Sequence, residues 1–196
     1  MKIPIFPLNG AIIFPDTNLP LNIFEERYID MVDYSLSNNK IIGMIQHKSN
    51  NELYGVGCYG KITAFNETPD KRYIINLEGQ DCFKVIREVN TDYKFRICEI
   101  EIFKNYNNNI LNDKLKIELI NCYKKYNEIK NINLSFDEIS QLNIVDLLKL
   151  IVMISPFDTS IKQLCLEIKS NTELYESVLS ALKIELASSQ QNVSIN

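Results

Sequence analysis

No glycine follows Gly79, histidine occurs once, and no two of the five cysteines form Cys-x-x-Cys. No apolar run approaches the roughly 18 residues that cross a bilayer. Basic residues are outnumbered: 21 Lys and Arg face 25 Asp and Glu, a net charge of −4 over 196 residues. Before residue 110 there are 12 basic and 14 acidic residues, and after it 9 and 11, so neither part is positive. That balance excludes the electrostatic footprint of a general nucleic-acid binder. Prolines at positions 4 and 7 interrupt the apolar core that a signal peptide needs. With no span and no leader to read, the expectation is a soluble, cytoplasmic protein, not bound to membrane. At 45% hydrophobic and 23% charged, the composition is that of a globular chain of one large or two small domains.

The thiols Cys58, Cys82, Cys98, Cys122 and Cys165 are odd in number and widely scattered. They suit neither a disulfide framework nor a zinc ribbon, and read as buried thiols of a reducing compartment. A Ser-His-Asp or Cys-His site would have to use His47, which ends the apolar stretch Ile41–His47 and reads as a structural group. No G-x-x-x-x-G-K-[ST] loop, G-x-S-x-G elbow or H-E-x-x-H occurs. Gly55-Val-Gly57-Cys-Tyr-Gly60 spells the dinucleotide fingerprint, which needs a helix starting at the motif to hold a pyrophosphate. Lys61-Ile-Thr-Ala-Phe-Asn66 follows instead, with no helical stripe, so the glycines read as permitting a tight bend or close strand packing. Glu25-Glu26 and Asp137-Glu138 point to different faces, and Glu99 with Glu101 reads as a solvated strand face. No catalytic residue, no metal ligand and no cofactor is expected.

Glycine and proline divide the chain. Five of the six prolines precede residue 70, and beyond Ile110 only Pro156 remains. Three units are expected: a β-rich part over 1–104, a helical bundle over 110–187 and a disordered tail over 188–196, with Asn105–Asn109 as the hinge. Ile3–Phe6, Ala11–Phe14 and Leu19–Ile23, broken by prolines, read as edge strands and irregular rims. Phe24, Tyr28, Met31, Val32 and Leu36 form the stripe of one amphipathic helix. Ile41–Gln46 reads as a central strand, Asn66–Arg72 as a hairpin turn, Arg72–Glu78 as a strand, and Phe83 with Val85 as part of the next. From Tyr93 to Phe103 the apolar positions switch from odd to even at Ile97–Cys98. That switch predicts a β-bulge there and a sheet curled into a closed or half-closed barrel.

In the second part, helices are expected over Ile110–Tyr126, Asn143–Ile154, Thr159–Ile168 and Asn171–Leu186. Asn143 suits an N-cap and Ser155-Pro156 a stop; the helix between is apolar nearly all round, as at a bundle's centre.

Several of these segments carry a family resemblance. Ile5-Phe-Pro-Leu8, Ala11-Ile-Ile-Phe-Pro15, Leu19–Tyr28, Ile42-Gly-Met-Ile45, Leu53–Cys58 and Leu77-Glu-Gly79 resemble, in order, the N-terminal substrate-binding domain of Lon ATP-dependent proteases. Pro156-Phe-Asp158, Lys162-Gln-Leu164 and Leu166-Glu167 resemble the helical part of that domain. The chain is similar to the free-standing bacterial proteins made of this domain without the ATPase and peptidase modules. The resemblance implies an α+β fold: a β-rich, PUA-like pseudo-barrel with one helix, then a C-terminal helical bundle. It implies protein quality control by binding rather than chemistry.

The function expected is therefore a non-enzymatic module that engages unfolded or extended polypeptide, or another protein partner, in apolar grooves beside strand edges. Phe14, Pro15, Leu19, Tyr54 and Phe65, with Arg27 as polar anchor, are the candidate peptide-binding residues. The rival readings are an adaptor making a stable protein–protein contact, and a small-ligand binder or enzyme using the turn 55–60 and His47. The oligomeric state is left open.

Overall fold

The computed structural model describes residues 1–48, 50, 52–104, 111–132 and 136–193. The chain divides into two compact units, Met1–Asn105 and Tyr106–Asn196. The first holds strands β1 (Lys2–Pro7) and β2 (Asn18–Ile23), helix α1 (Glu26–Leu36), then β3 (Ile41–Ile45), β4 (Val56–Glu67), β5 (Tyr73–Val89) and β6 (Arg96–Phe103). The second holds α2 (Asp113–Lys130), α3 (Phe136–Gln141), α4 (Ile144–Ile154), α5 (Thr159–Glu167) and α6 (Asn171–Val193). Among the described residues the second unit contains no strand. The hinge expected at Asn105–Asn109 lies outside the described residues.

The strands follow the order β2-β5-β4-β3-β1-β6, and β6 also pairs with β5, so five of them close into a barrel. Only β1 and β3 are parallel. Closure depends on the length of β5, whose 17 residues make one strand where two were expected. One side of β5 pairs with β4; on the other, Tyr73–Glu78 takes β2 and Cys82–Val89 takes β6. The exchange of partners occurs around Gly79, whose N–H donates to Thr17 O (2.8 Å) and whose carbonyl accepts from Asp16 N–H (2.9 Å). Ile3, Ile5, Ile45, Phe83, Cys98 and Ile100 pack together inside. Gly57 lies so near the Met44 carbonyl that a Cβ would overlap its oxygen, which is close strand packing and no nucleotide loop.

Four sequence expectations are corrected here. β1 is an interior strand between β3 and β6; Pro4 is tolerated because it precedes the stretch that pairs with β3, Ile5–Pro7. Ala11–Phe14 is an irregular buried segment, not a strand. The bulge expected at Ile97–Cys98 is absent: β6 pairs residue by residue with β1, and the extra residue opposite it is Ile86 of β5. The parity switch has another cause. Cys98 and Ile100 face the barrel core, while Phe95 is buried beside Tyr34 of α1, their ring centroids 5.5 Å apart. A segment covered first on one side and then on the other shows both parities without a bulge. Phe24, placed on the helical stripe, precedes α1 and is 66% exposed.

In the helical unit, Leu119, Tyr123, Leu147, Leu148, Ile151, Val178 and Leu182 are fully buried. Helix α4 begins as its sequence indicates, with the Asn143 side chain accepting from Asp146 N–H at 2.9 Å, and ends at Ser155. Removing that cap leaves orphan N–H groups in the first turn, so Asn143→Ala should cost about 1 kcal/mol in urea unfolding, while Asn143→Ser, which keeps an acceptor, should cost little. A cost shared equally by both variants would contradict the capping role. Helix α6 continues through Val193, so residues 188–193 are helical rather than a disordered tail, and 194–196 lie outside the described residues. Propagating a nucleated helix is cheap, and the Ser188 and Ser189 hydroxyls bond the carbonyls four residues back.

Candidate functional site

A concavity of about 670 Å³ lies in the barrel unit. Barrel closure brings its lining from distant parts of the chain. Phe6, Pro7 and Leu8 come from the end of β1 and just beyond it, Leu21–Ile23 from β2, Phe24, Glu25, Arg27 and Tyr28 from the entry to α1, His47 from beyond β3 and Arg96 from the start of β6. The floor is apolar: Phe6, Leu21, Ile23 and Tyr28 are buried, and the Phe6 and Tyr28 rings meet edge to face at 4.6 Å. Phe24 stands over it, mostly exposed.

The rim is polar and braced. Arg27 Nε donates to Glu25 at 2.9 Å, and its guanidinium lies over the Tyr28 ring, 4.5 Å from the centroid. Arg96 is held by Glu88 through two bonds, Nε to Oε1 (2.9 Å) and Nη2 to Oε2 (2.8 Å). These bonds favour the charged guanidinium and raise its pKa. Burial pushes the Tyr28 hydroxyl upward, so it stays a protonated donor. His47 donates its backbone N–H to Asn9 Oδ1 (3.0 Å), and its Nδ1 lies 3.2 Å from Lys48 O. One wall is the outer edge of β2, which among the described residues pairs with β5 alone.

Among the described residues no serine, threonine, cysteine or lysine lines the groove. Among the described residues no three His, Cys, Asp or Glu side chains converge to hold a metal ion. No helix there is long and apolar enough to cross a membrane.

Of the six residues singled out from the sequence, only Arg27 lines this groove. Phe14 is fully buried, bonded through its backbone to Thr17, and Pro15 is buried beside it; both are core, which corrects their placement on a binding surface. Leu19 is half-buried on β2 opposite Leu77. Tyr54 packs on the barrel core with the Lys48 ammonium 5.8 Å from its ring. Phe65 is 43% exposed on the β4–β5 hairpin, its ring edge-on to Tyr73 at 4.8 Å. The groove residues Phe6, Leu21, Phe24 and Arg96 were not anticipated, and His47 entered only the rival small-ligand reading. A signal for Phe24 existed: it stands directly before the N-cap Glu25 of a helix whose first turn is acidic, where a chain has not yet joined the helix.

Comparison with known proteins points to one family. The sequence pattern of the ATP-dependent protease La (LON) substrate-binding domain matches residues 2–183. The Lon protease of Dictyoglomus thermophilum is 28% identical over 108 residues, 52% of this chain and 14% of that protein. The Lon protease of Buchnera aphidicola subsp. Baizongia pistaciae is 24% identical over 203 residues, 95% of this chain and 25% of that protein. The chain thus spans a quarter or less of these relatives. Among solved structures, a Lon N-terminal domain protein from Xanthomonas campestris superposes with a TM-score of 0.68 at 16% identity, covering 92% of this chain and 98% of that one. The N-terminal domain of the Mycobacterium avium complex Lon protease gives 0.67 at 12% identity, covering 93% and 98%. A barrel with one helix followed by a helical unit, matched by pattern from residue 2 to 183, places this chain in the LON substrate-binding domain family.

Proposed function

We propose that the barrel unit is a non-catalytic module that holds an extended, apolar stretch of polypeptide in the groove beside β2. The observation that carries this reading is the groove itself: an apolar floor, a braced polar rim, and an unpaired strand edge along one wall. A strand edge supplies main-chain bonds to any sequence, and apolar pockets supply the contact area. Pro20 has no N–H to give, so a strand added along β2 is limited at its middle, and Asn22 at the groove is the outward position that keeps both donor and acceptor. A short segment bound at the groove end suits this edge better than a long one.

An unfolded segment loses conformational freedom on docking, so the expected affinity is weak, with Kd on the order of micromolar. Fluorescence anisotropy with a labelled, permanently unfolded protein tests it. Phe24→Ser should weaken binding about tenfold with an unchanged melting temperature, because Phe24 is exposed. Phe65→Ser, on the hairpin, should leave binding intact. The opposite pattern would move the site to the hairpin. No binding at high micromolar concentration would leave the adaptor reading in its place.

A further inference from the structure

The helical unit carries two exposed faces of opposite charge, each with an apolar centre. Between α5 and α6 lies a groove of about 350 Å³ lined by Ile161, Leu164 and Ile184 and by the small residues Ser177, Ser180 and Ala181. Leu164 and Ile184 are 56% and 67% exposed. Glu176 lines this groove, and Glu167 and Glu173 lie at its Leu164 end with one lysine, Lys169. On α2, Lys114, Ile117, Asn121 and Lys125 recur at spacings of three and four, on one helical face. Ile117 is 60% exposed. The single carboxylate there, Glu118, is already bound by Lys183 (3.2 Å) and the Tyr175 hydroxyl (3.1 Å). Among the described residues neither Lys114 and Lys125 nor Glu173 and Glu176 form an ion pair.

We infer that these faces are complementary halves of one self-association contact: the α2 face of one copy lies in the α5–α6 groove of a second copy of this chain. The small residues lining the groove let a helix approach closely. Ile117 then meets Leu164 and Ile184, with Lys114 and Lys125 alongside Glu173 and Glu176. The two faces are different patches of the surface, so a single such contact is head-to-tail and leaves a free groove and a free α2 face on the pair. It is small, and its expected Kd is on the order of 100 μM, as for a transient interface. It is also salt-sensitive, because exposed charges are screened over about 8 Å at physiological ionic strength. This inference is independent of the peptide groove in the barrel unit.

Charge exchange tests it with the full chain in sedimentation velocity at low salt. Lys114→Glu with Lys125→Glu makes both faces acidic, and Glu173→Lys with Glu176→Lys makes both basic. Each double variant alone should be monomeric at concentrations where the unaltered chain associates. Mixed in equal amounts they should associate again, to within about threefold of the original affinity, because every α2 face then meets a groove of opposite charge. Ile117→Ser and Leu164→Ser, both exposed, should each weaken association severalfold with an unchanged circular dichroism spectrum. A monomeric unaltered chain at millimolar concentration, double variants that associate like the unaltered chain, or a mixture that stays monomeric would each overturn the inference.

Discussion

Gly79→Ala should destabilise the barrel unit by about 3 kcal/mol or more, lowering its melting temperature by roughly 10–20 °C. A Cβ at this position would stand 2.9 Å from the carbonyl carbon of Phe14 and closer still to its oxygen, with Ile13 Cγ1 at 3.1 Å. These neighbours are mostly backbone, and the segment that carries them is pinned to Gly79 by the bonds from Asp16 N–H and to Thr17 O. Relief would require moving the β1–β2 connection away from the point where β5 exchanges β2 for β6. The closing pairs of the barrel would strain with it. Gly55→Ala is the control, since nothing lies within 4 Å of its Cβ position. Scanning calorimetry should show a large drop for the first variant and a shift near zero for the second. Equal shifts would mean that the glycines act through the unfolded chain rather than through close packing.

Alkaline conditions should unfold the protein through its buried thiols and phenols. Burial raises Cys98 and Cys165 from 9.0 to about 11. Tyr175 is pushed from 10.0 up to about 12, first by burial and then by its hydrogen bond to Glu118. Burial also raises Tyr123 and Tyr126. In every case the folded pKa exceeds the unfolded one. Between the two values the unfolded chain has released a proton that the folded chain keeps, so stability falls as pH rises. The contribution is whole below about pH 9 and is lost by about pH 11–12. For a fully buried thiol a gap of two units is worth about 2–3 kcal/mol, a large share of the stability of a small domain. Lys162 acts in the opposite sense: burial lowers its pKa, so deprotonating it toward 10.5 adds stability. It is one group against several. Urea midpoints should be flat from about pH 7 to pH 8.5 and then fall steeply, and Cys165→Ala should make the fall shallower. A flat profile to pH 11 would show that the buried groups ionise without opening the fold.

Local chemistry was legible in the sequence. The Asn143 cap, the Ser155-Pro156 stop, the turn of the β4–β5 hairpin and the change from strands to helices each depend on residues within a few positions of one another. The apolar run of β3 marked an interior strand, and the glycines of β4 marked close packing. The family resemblance, carried by ordered short motifs, also held.

What tertiary structure alone decided is which side of each segment is covered. Phe14 and Phe65 are alike in sequence, each beside turn-forming residues; one lies under the β5 crossing and the other on a hairpin arm. Pro4 reads as an edge signal, yet β1 is interior because its pairing to β3 begins one residue later. The parity switch at Ile97 is real, but it records cover from α1 and then from the barrel core, and periodicity cannot separate those from a bulge. The groove was beyond local reading for the same reason. Residues from Phe6 to Arg96 share one concavity only because a 17-residue β5 exchanges β2 for β6 and closes the ring, and that pairing is set by long-range packing.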